Sequence, residues 1–307
     1  MTQKSPFAKI AGGVAGATAA ASALSAFGAL IMFANFAKGN HEIAVHDHNQ
    51  PFYNAVTSGY TSELWSFTSF DGLKLKAHYF KAAAPSHRYA ITVHGYHGNY
   101  TDMMPYAKHY LESGFNVIMP HLRGHGLSEG GYAGFGYHDH YDLCGWIDLL
   151  IEKDPEAQIV LHGMSMGAAT VMMASGEYLP SNVKCTIEDA GYADAYEQCT
   201  YNLKALYHLP SFPALNLVDL LMRARWKFSL RDAVPIKSVA HACVPMLFIH
   251  GEADTFVPFS NLQPLYDACS TEKEILAVKD AAHVRSVFTD PESFFAAVDQ
   301  FTAKYIK

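Results

Sequence analysis

Gly163-Met164-Ser165-Met166-Gly167 sets one serine between two glycines, each two positions away, and this spacing is where the chain could do chemistry. A serine hydroxyl is a weak nucleophile at neutral pH and becomes an effective one when a neighbouring histidine takes its proton as it attacks. The flanks suit that task. The apolar run Ile159 to His162 reads as a short strand, and the Ala-rich stretch after Gly167 as a helix. Glycines at 163 and 167 leave room for a tight strand-to-helix turn that a Cβ would obstruct. Such a turn lifts the Ser165 hydroxyl above the sheet edge. It also aims the free N–H groups of the first helical turn at negative charge developing beside it.

The elements that must position Ser165 follow from the apolar pattern. Trp65 to Phe67 and Leu73 to Tyr79 alternate apolar with polar around Phe70-Asp71-Gly72, a strand–turn–strand signal. Tyr89 to Val93 and Phe115 to Met119 read as buried strands, as do Val183 to Ile187, Val244 to Ile249 and Glu274 to Val278. Helices are expected at Thr101 to Glu112, His140 to Ile151 and Pro291 to Tyr305. Strands alternating with helices predict an α/β architecture, a mainly parallel sheet with helices on both faces. Ligands of such sheets bind at the carboxyl ends of the strands. The stretch from about 194 to 234 interrupts this rhythm. Tyr201, Leu206, Phe212, Leu220 and Trp226 crowd it and Pro210 and Pro213 break it, so it is expected to form a small helical lid over the site.

Composition narrows the function. Half of the 307 residues are hydrophobic and the formal net charge is −7, so nothing in the charge balance points to nucleic acid. The five cysteines, Cys144, Cys185, Cys199, Cys243 and Cys269, are widely spaced and form no C-x-x-C pair, which reads as buried or free thiols rather than a disulfide framework or zinc site. His46-x-His48 and His138-x-His140 lack the spacing of a metal site, so neither a metal nor a cofactor is expected.

Residues Ile10 to Ala37 carry no charge, a span of about 28 residues that could cross a bilayer as a helix. Gly13, Ala17, Ala21, Ser25 and Ala29 recur every fourth residue on it, a ridge that suits close helix packing. Residues 1–40 are therefore expected to be an uncleaved membrane anchor, 41–62 a polar linker and 63–307 the catalytic domain. Lys4 and Lys9 ahead of the span favour a cytoplasmic N-terminus with the domain outside. The competing expectation is a signal peptide cleaved near Ala21-Ser22-Ala23 and a secreted product.

From about Glu63 to Ile306 the sequence resembles the α/β-hydrolases, in the branch of monoacylglycerol lipases, bacterial carboxylesterases and serine aminopeptidase-like hydrolases. The carriers are His94-Gly95, Arg123-Gly-His-Gly-x-Ser128, the Gly163 to Gly167 turn, His250-Gly-Glu-Ala-Asp254 with Val257-Pro258, and His283. In that family the partners follow in the order serine, acid, histidine. The resemblance implies Ser165 as nucleophile, His283 as general base and Asp254 as the carboxylate that orients it. Asp189 is the competing acid, since some relatives place the carboxylate after the preceding strand. The backbone N–H groups of Tyr96 and Met166 would form the oxyanion hole. His94, His97, Arg123 and His125 are read as holding these loops rather than doing chemistry.

The function implied is hydrolysis of carboxylic esters with lipid-like or small aromatic acyl groups, water being the second substrate. Amidase or peptidase, thioesterase and acyltransferase chemistry share the acyl-enzyme and are the alternatives. A non-catalytic membrane-tethered binding protein on the same fold is the reading from another class.

Overall fold

The strand–turn–strand signal at 62–80 becomes an antiparallel hairpin of β1 (Ser62–Thr68) and β2 (Lys74–Phe80), which opens an eight-stranded sheet. The computed structural model describes residues 37–307. The remaining strands are β3 (Arg88–Val93), β4 (Asn116–Pro120), β5 (Gln158–Met164), β6 (Val183–Asp189), β7 (Met246–Gly251) and β8 (Lys273–Val278). Their order is β1-β2-β4-β3-β5-β6-β7-β8, with β2 antiparallel to β4 and every later pair parallel. β5, which leads into Ser165, lies between β3 and β6, so the loops after these three strands open beside one another.

The central strands are apolar on both faces because helices cover both. The helices are α1 (Gln50–Gly59), α2 (Met104–Glu112), α3 (Tyr137–Lys153), α4 (Met166–Ser175), α5 (Ala195–Tyr207), α6 (Ala214–Trp226), α7 (Pro235–Val239), α8 (Leu262–Ala268), α9 (Ser286–Thr289) and α10 (Pro291–Tyr305). One core cluster joins Val117, Val160, Ile187 and Leu247 of the strands to Tyr106 and Tyr110 of α2 and Phe294 and Phe301 of α10. Both phenylalanines are fully buried, and each such side chain contributes about 1.5–3 kcal/mol. A second cluster sets Met172 of α4 against Met246, Phe248, Leu262 and Leu265. Every residue of α4 is buried, which explains why its sequence is apolar all round rather than striped.

The chain divides into two compact units: residues 39–198 with 231–307, and a second unit to which the described residues 37–38 and 199–230 belong. Within the second unit the α6 sequence shows a buried stripe, Leu215, Val218 and Met222, while Leu206, Leu209, Phe212 and Leu220 are exposed. Asp219 accepts the backbone N–H of Leu230 at 2.7 Å.

The segment expected to be a linker holds structure: a 3-10 turn at Asp47–Asn49 runs into α1, which packs on α2. The expected membrane span lies, apart from Ala37, outside the described residues. Among the described residues no helix is long and apolar enough to cross a membrane.

Candidate active site

β5 ends at Met164 and α4 begins at Met166, so the whole reversal of direction falls on Ser165. Its backbone stands at φ 55° and ψ −117°, a conformation that side chains rarely adopt and that costs on the order of 1–3 kcal/mol. The two glycines make the turn possible. A Cβ on Gly163 would lie 2.1 Å from the Gly167 carbonyl oxygen, and one on Gly167 2.1 Å from that of Val93. β5, α4 and β3 thus touch backbone to backbone. The Ser165 N–H is held by the Asp189 carbonyl at 2.8 Å.

The loops after β7 and β8 bring two partners to this serine. His283 Nε2 lies 2.9 Å from Ser165 Oγ, and His283 Nδ1 lies 2.6 Å from Asp254 Oδ2. A carboxylate can only accept, so Nδ1 carries the proton and Nε2 is left to accept from the hydroxyl. Asp254 Oδ1 accepts the backbone N–H groups of Phe256 and Val257, both at 2.9 Å. Burial alone would raise the Asp254 pKa, but hydrogen bonds from His250 and His283 outweigh it and hold the carboxyl at about 2. It is therefore ionised at any ordinary pH. The expected trio of Ser165, Asp254 and His283 is brought together.

Asp189 is elsewhere. It ends β6, and its Oδ2 accepts the Tyr106 hydroxyl at 2.7 Å rather than meeting His283. Burial raises its pKa to about 6.

Sequence reasoning passed over His250. Its Nε2 lies 3.0 Å from the Val257 carbonyl and 3.3 Å from Asp254 Oδ2, so the carboxylate is clasped by two imidazoles. The signal was present in His250-Gly-Glu-Ala-Asp254, where the histidine at the strand end precedes the aspartate by four residues.

The loop after β3 forms the facing wall. Gly95 accepts from Gly98 in a tight turn, Gly95–Gly98, and a Cβ on Gly95 would come within 3.2 Å of Ser165 Cβ. His97 sits at φ 54° within it. His94, fully buried, spans two loops: Nδ1 lies 2.8 Å from the Gly95 carbonyl, and Nε2 accepts the Leu122 N–H at 3.2 Å. Burial depresses its pKa to about 3, which keeps it neutral as this bonding requires. Arg123 is also fully buried, paired to Asp142 at 2.7 Å and Asp71 at 2.9 Å. His125 Nδ1 lies 2.9 Å from the Arg123 carbonyl.

Between these walls lies a cavity of about 430 Å³ whose lining includes Gly95, Tyr96, Ser165, Phe256, His283 and Phe288. Tyr96 stacks on His97 and Phe135. Met166 opens α4, where the first-turn N–H groups are free of the helix ladder. His46, His48 and Asn49, from the segment before α1, also line the cavity. Among the described residues no group of three or more His, Cys, Asp or Glu side chains could hold a metal ion. What the arrangement can do is deliver a hydroxyl to a carbonyl carbon while an imidazole removes its proton.

Comparison with known proteins places this geometry in context. A family model described as alpha/beta hydrolase fold matches residues 91–209. The protein YqkD of Bacillus subtilis (strain 168) is 29% identical over 212 residues, 69% of this chain and 70% of that protein. The thermostable monoacylglycerol lipase of Bacillus sp. (strain H-257) is 24% identical over 241 residues, 70% of this chain and 90% of the lipase. Among solved structures, the esterase Pf2001 of Pyrococcus furiosus superposes with a TM-score of 0.69 at 21% identity, covering 88% of this chain and 97% of the esterase.

Proposed function

Because the chain belongs to the α/β-hydrolase superfamily, we propose that it is a serine hydrolase cleaving carboxylic esters through an acyl-enzyme on Ser165. One observation carries the reading: the unbroken series Ser165 Oγ, His283 and Asp254, linked at 2.9 and 2.6 Å. In the first half-reaction Ser165 Oγ bonds to the ester carbonyl carbon as its proton passes to His283 Nε2. Asp254 stays ionised and stabilises the imidazolium. The N–H groups of Tyr96 and Met166 receive the negative charge on the former carbonyl oxygen. Collapse of the tetrahedral species expels the alcohol, which takes the proton from His283. Water then repeats the sequence on the acyl-enzyme and releases the carboxylic acid.

The substrate class follows from the cavity wall: Phe256, Phe288, Val284 and Met164 make it largely apolar, which suits an acyl chain or aryl group. The similarity to a monoacylglycerol lipase points the same way. The helical insertion is assigned the role of a lid on its apolar composition alone. A panel of p-nitrophenyl esters graded by acyl length, run beside p-nitroanilides of the same acyl groups, tests the reading. Ester kcat/KM should exceed anilide kcat/KM by on the order of a hundredfold or more. Comparable cleavage of the anilides would move the assignment to an amidase.

Residence in a membrane, with the enzyme outside the cytoplasm, is a further part of the proposal and rests on the uncharged stretch 10–37. The full chain should sediment with membranes through carbonate washing, because burial of a spanning helix is not electrostatic. A mature chain beginning near Leu24 would show instead that the stretch is a cleaved signal peptide.

A further inference from the structure

The residues just before α1 form a strap beside the site, with His46, His48 and Asn49 lining its cavity. Gly39 packs backbone to backbone on the loop after β4, since a Cβ there would lie 2.0 Å from the Gly124 carbonyl oxygen. Asn40 accepts the Gly126 N–H at 3.0 Å through its carbonyl. Its side chain does a second job: Nδ2 donates to the His97 carbonyl at 2.6 Å, while Oδ1 accepts the Glu42 N–H at 3.1 Å. His41 reaches the Gly126 and Gly130 carbonyls with its two ring nitrogens, each at 3.0 Å. The Ala44 carbonyl accepts from Asn99 Nδ2 at 3.0 Å and Thr101 Oγ1 at 2.7 Å. Farther on, the His48 ring meets Phe288 edge-on at 5.3 Å, in the segment that follows His283. One strap therefore ties together the loops after β3 and β4 and the short helix α9, the first of these loops carrying the Gly95–Gly98 turn.

That turn needs holding. His97 occupies the left-handed region without being glycine, at a cost of roughly 1–2 kcal/mol. A turn under such strain can relax by rotating its peptides, and rotation would change the direction of the Tyr96 N–H. The Asn40 amide grips the strained residue itself, through its carbonyl.

We propose that residues 39–49 complete the active site, with Asn40 as a positioning residue that holds the Gly95–Gly98 turn in the form presenting the Tyr96 N–H to the oxyanion, and with His46 and His48 as a wall of the substrate cavity. The proposal rests on the esterase reading, since an oxyanion arises only if Ser165 attacks a carbonyl. It also predicts which kinetic constant responds. Asn40 is not among the residues that line the cavity, so its loss should leave ground-state binding alone and weaken the transition state.

The test uses the full chain with Asn40→Asp, which keeps the side-chain shape and the Glu42 bond but removes the donor to His97, and with Asn40→Ala, which removes both bonds. Steady-state hydrolysis of a p-nitrophenyl ester is measured together with inhibition by an alkyl trifluoromethyl ketone. That ketone bonds its carbonyl carbon to Ser165 Oγ, passes the serine proton to His283 and leaves an oxyanion in the hole. In both variants kcat should fall on the order of 10- to 100-fold, less than the roughly 100- to 1000-fold that follows outright loss of an oxyanion donor, because the Tyr96 N–H is displaced and not removed. KM should stay within about twofold and the ketone Ki should rise by the same factor as kcat. An unchanged kcat and Ki would overturn the proposal. So would a fall in rate that follows a lower melting temperature while Ki is unmoved, for that is the mark of a merely structural strap. Failure of the wild-type chain to turn over the ester or bind the ketone would be a different result: it would remove the esterase reading, and the proposal with it.

Discussion

Ser165 stands on a strained backbone with its hydroxyl 2.9 Å from His283, and its removal is the plainest test at the scale of single residues. Ser165→Ala should leave a folded protein whose ester turnover is about a thousandfold or more lower; near-wild-type turnover would show that another group attacks. Asp254→Asn keeps the shape of the carboxylate but not its charge, so the imidazole loses both orientation and a counter-ion. Turnover should fall by several orders of magnitude, whereas Asp189→Asn, whose amide oxygen can still accept the Tyr106 hydroxyl, should leave it largely intact. If Asp189→Asn abolishes turnover and Asp254→Asn does not, the acid has been misassigned. Ser165 is legible in its own Gly-x-Ser-x-Gly spacing, whereas Asp254 and His283 follow from the family resemblance and its order of serine, acid and histidine. Asn40 is not legible, because its partner His97 lies 57 residues away and asparagine in a polar stretch carries no signal of what it will bond. His250 falls between the two cases, visible as part of a motif but with a role that only the 3.3 Å approach to Asp254 reveals.

The turn from β5 into α4 is where an element, rather than a residue, is at stake. Gly167→Ala would force a methyl against the Val93 carbonyl oxygen at 2.1 Å, and neither β3 nor α4 can yield without moving Ser165. Overpacking of this kind costs typically 1–3 kcal/mol, so denaturant unfolding should show a loss in that range together with most of the ester turnover. A variant as stable and active as the wild type would mean that β3 and α4 are not in backbone contact. The central strands β3 to β7 were readable as apolar runs because they are covered on both faces, and β1 and β2 as an alternation of apolar and polar residues. Residues 39–59 were not. The strap is held by hydrogen bonds between polar groups and leaves no apolar period to detect, and α1 buries only Val56 fully among its ten residues.

For the molecule as a whole, the buried imidazoles make stability depend on pH. His162 is fully buried among Tyr106, Tyr110 and Phe294, with the Tyr110 hydroxyl 3.0 Å from Nδ1. Burial, reinforced by the nearby His109, depresses its pKa from 6.5 to about 3. The unfolded chain therefore binds a proton that the folded chain refuses between those values. The contribution to stability is full above pH 6.5 and is lost as pH falls toward 3. At pH 5 the loss from this one site is about 2 kcal/mol. His162→Phe leaves Tyr110 without its ring-nitrogen partner and should be less stable at pH 7. Between pH 7 and pH 5, however, it should lose about 2 kcal/mol less than the wild type. Parallel stability curves would show that His162 is not held neutral by the fold.

The central claim is that Ser165 is the nucleophile of an acyl-transferring site, and covalent labelling reads it most directly. Incubation of the full chain with a fluorophosphonate, followed by intact-mass and peptide analysis, should give a single adduct on Ser165. The adduct should be absent in Ser165→Ala and formed far more slowly in Asp254→Asn. An adduct on a different serine, or labelling undiminished by Ser165→Ala, would contradict the account.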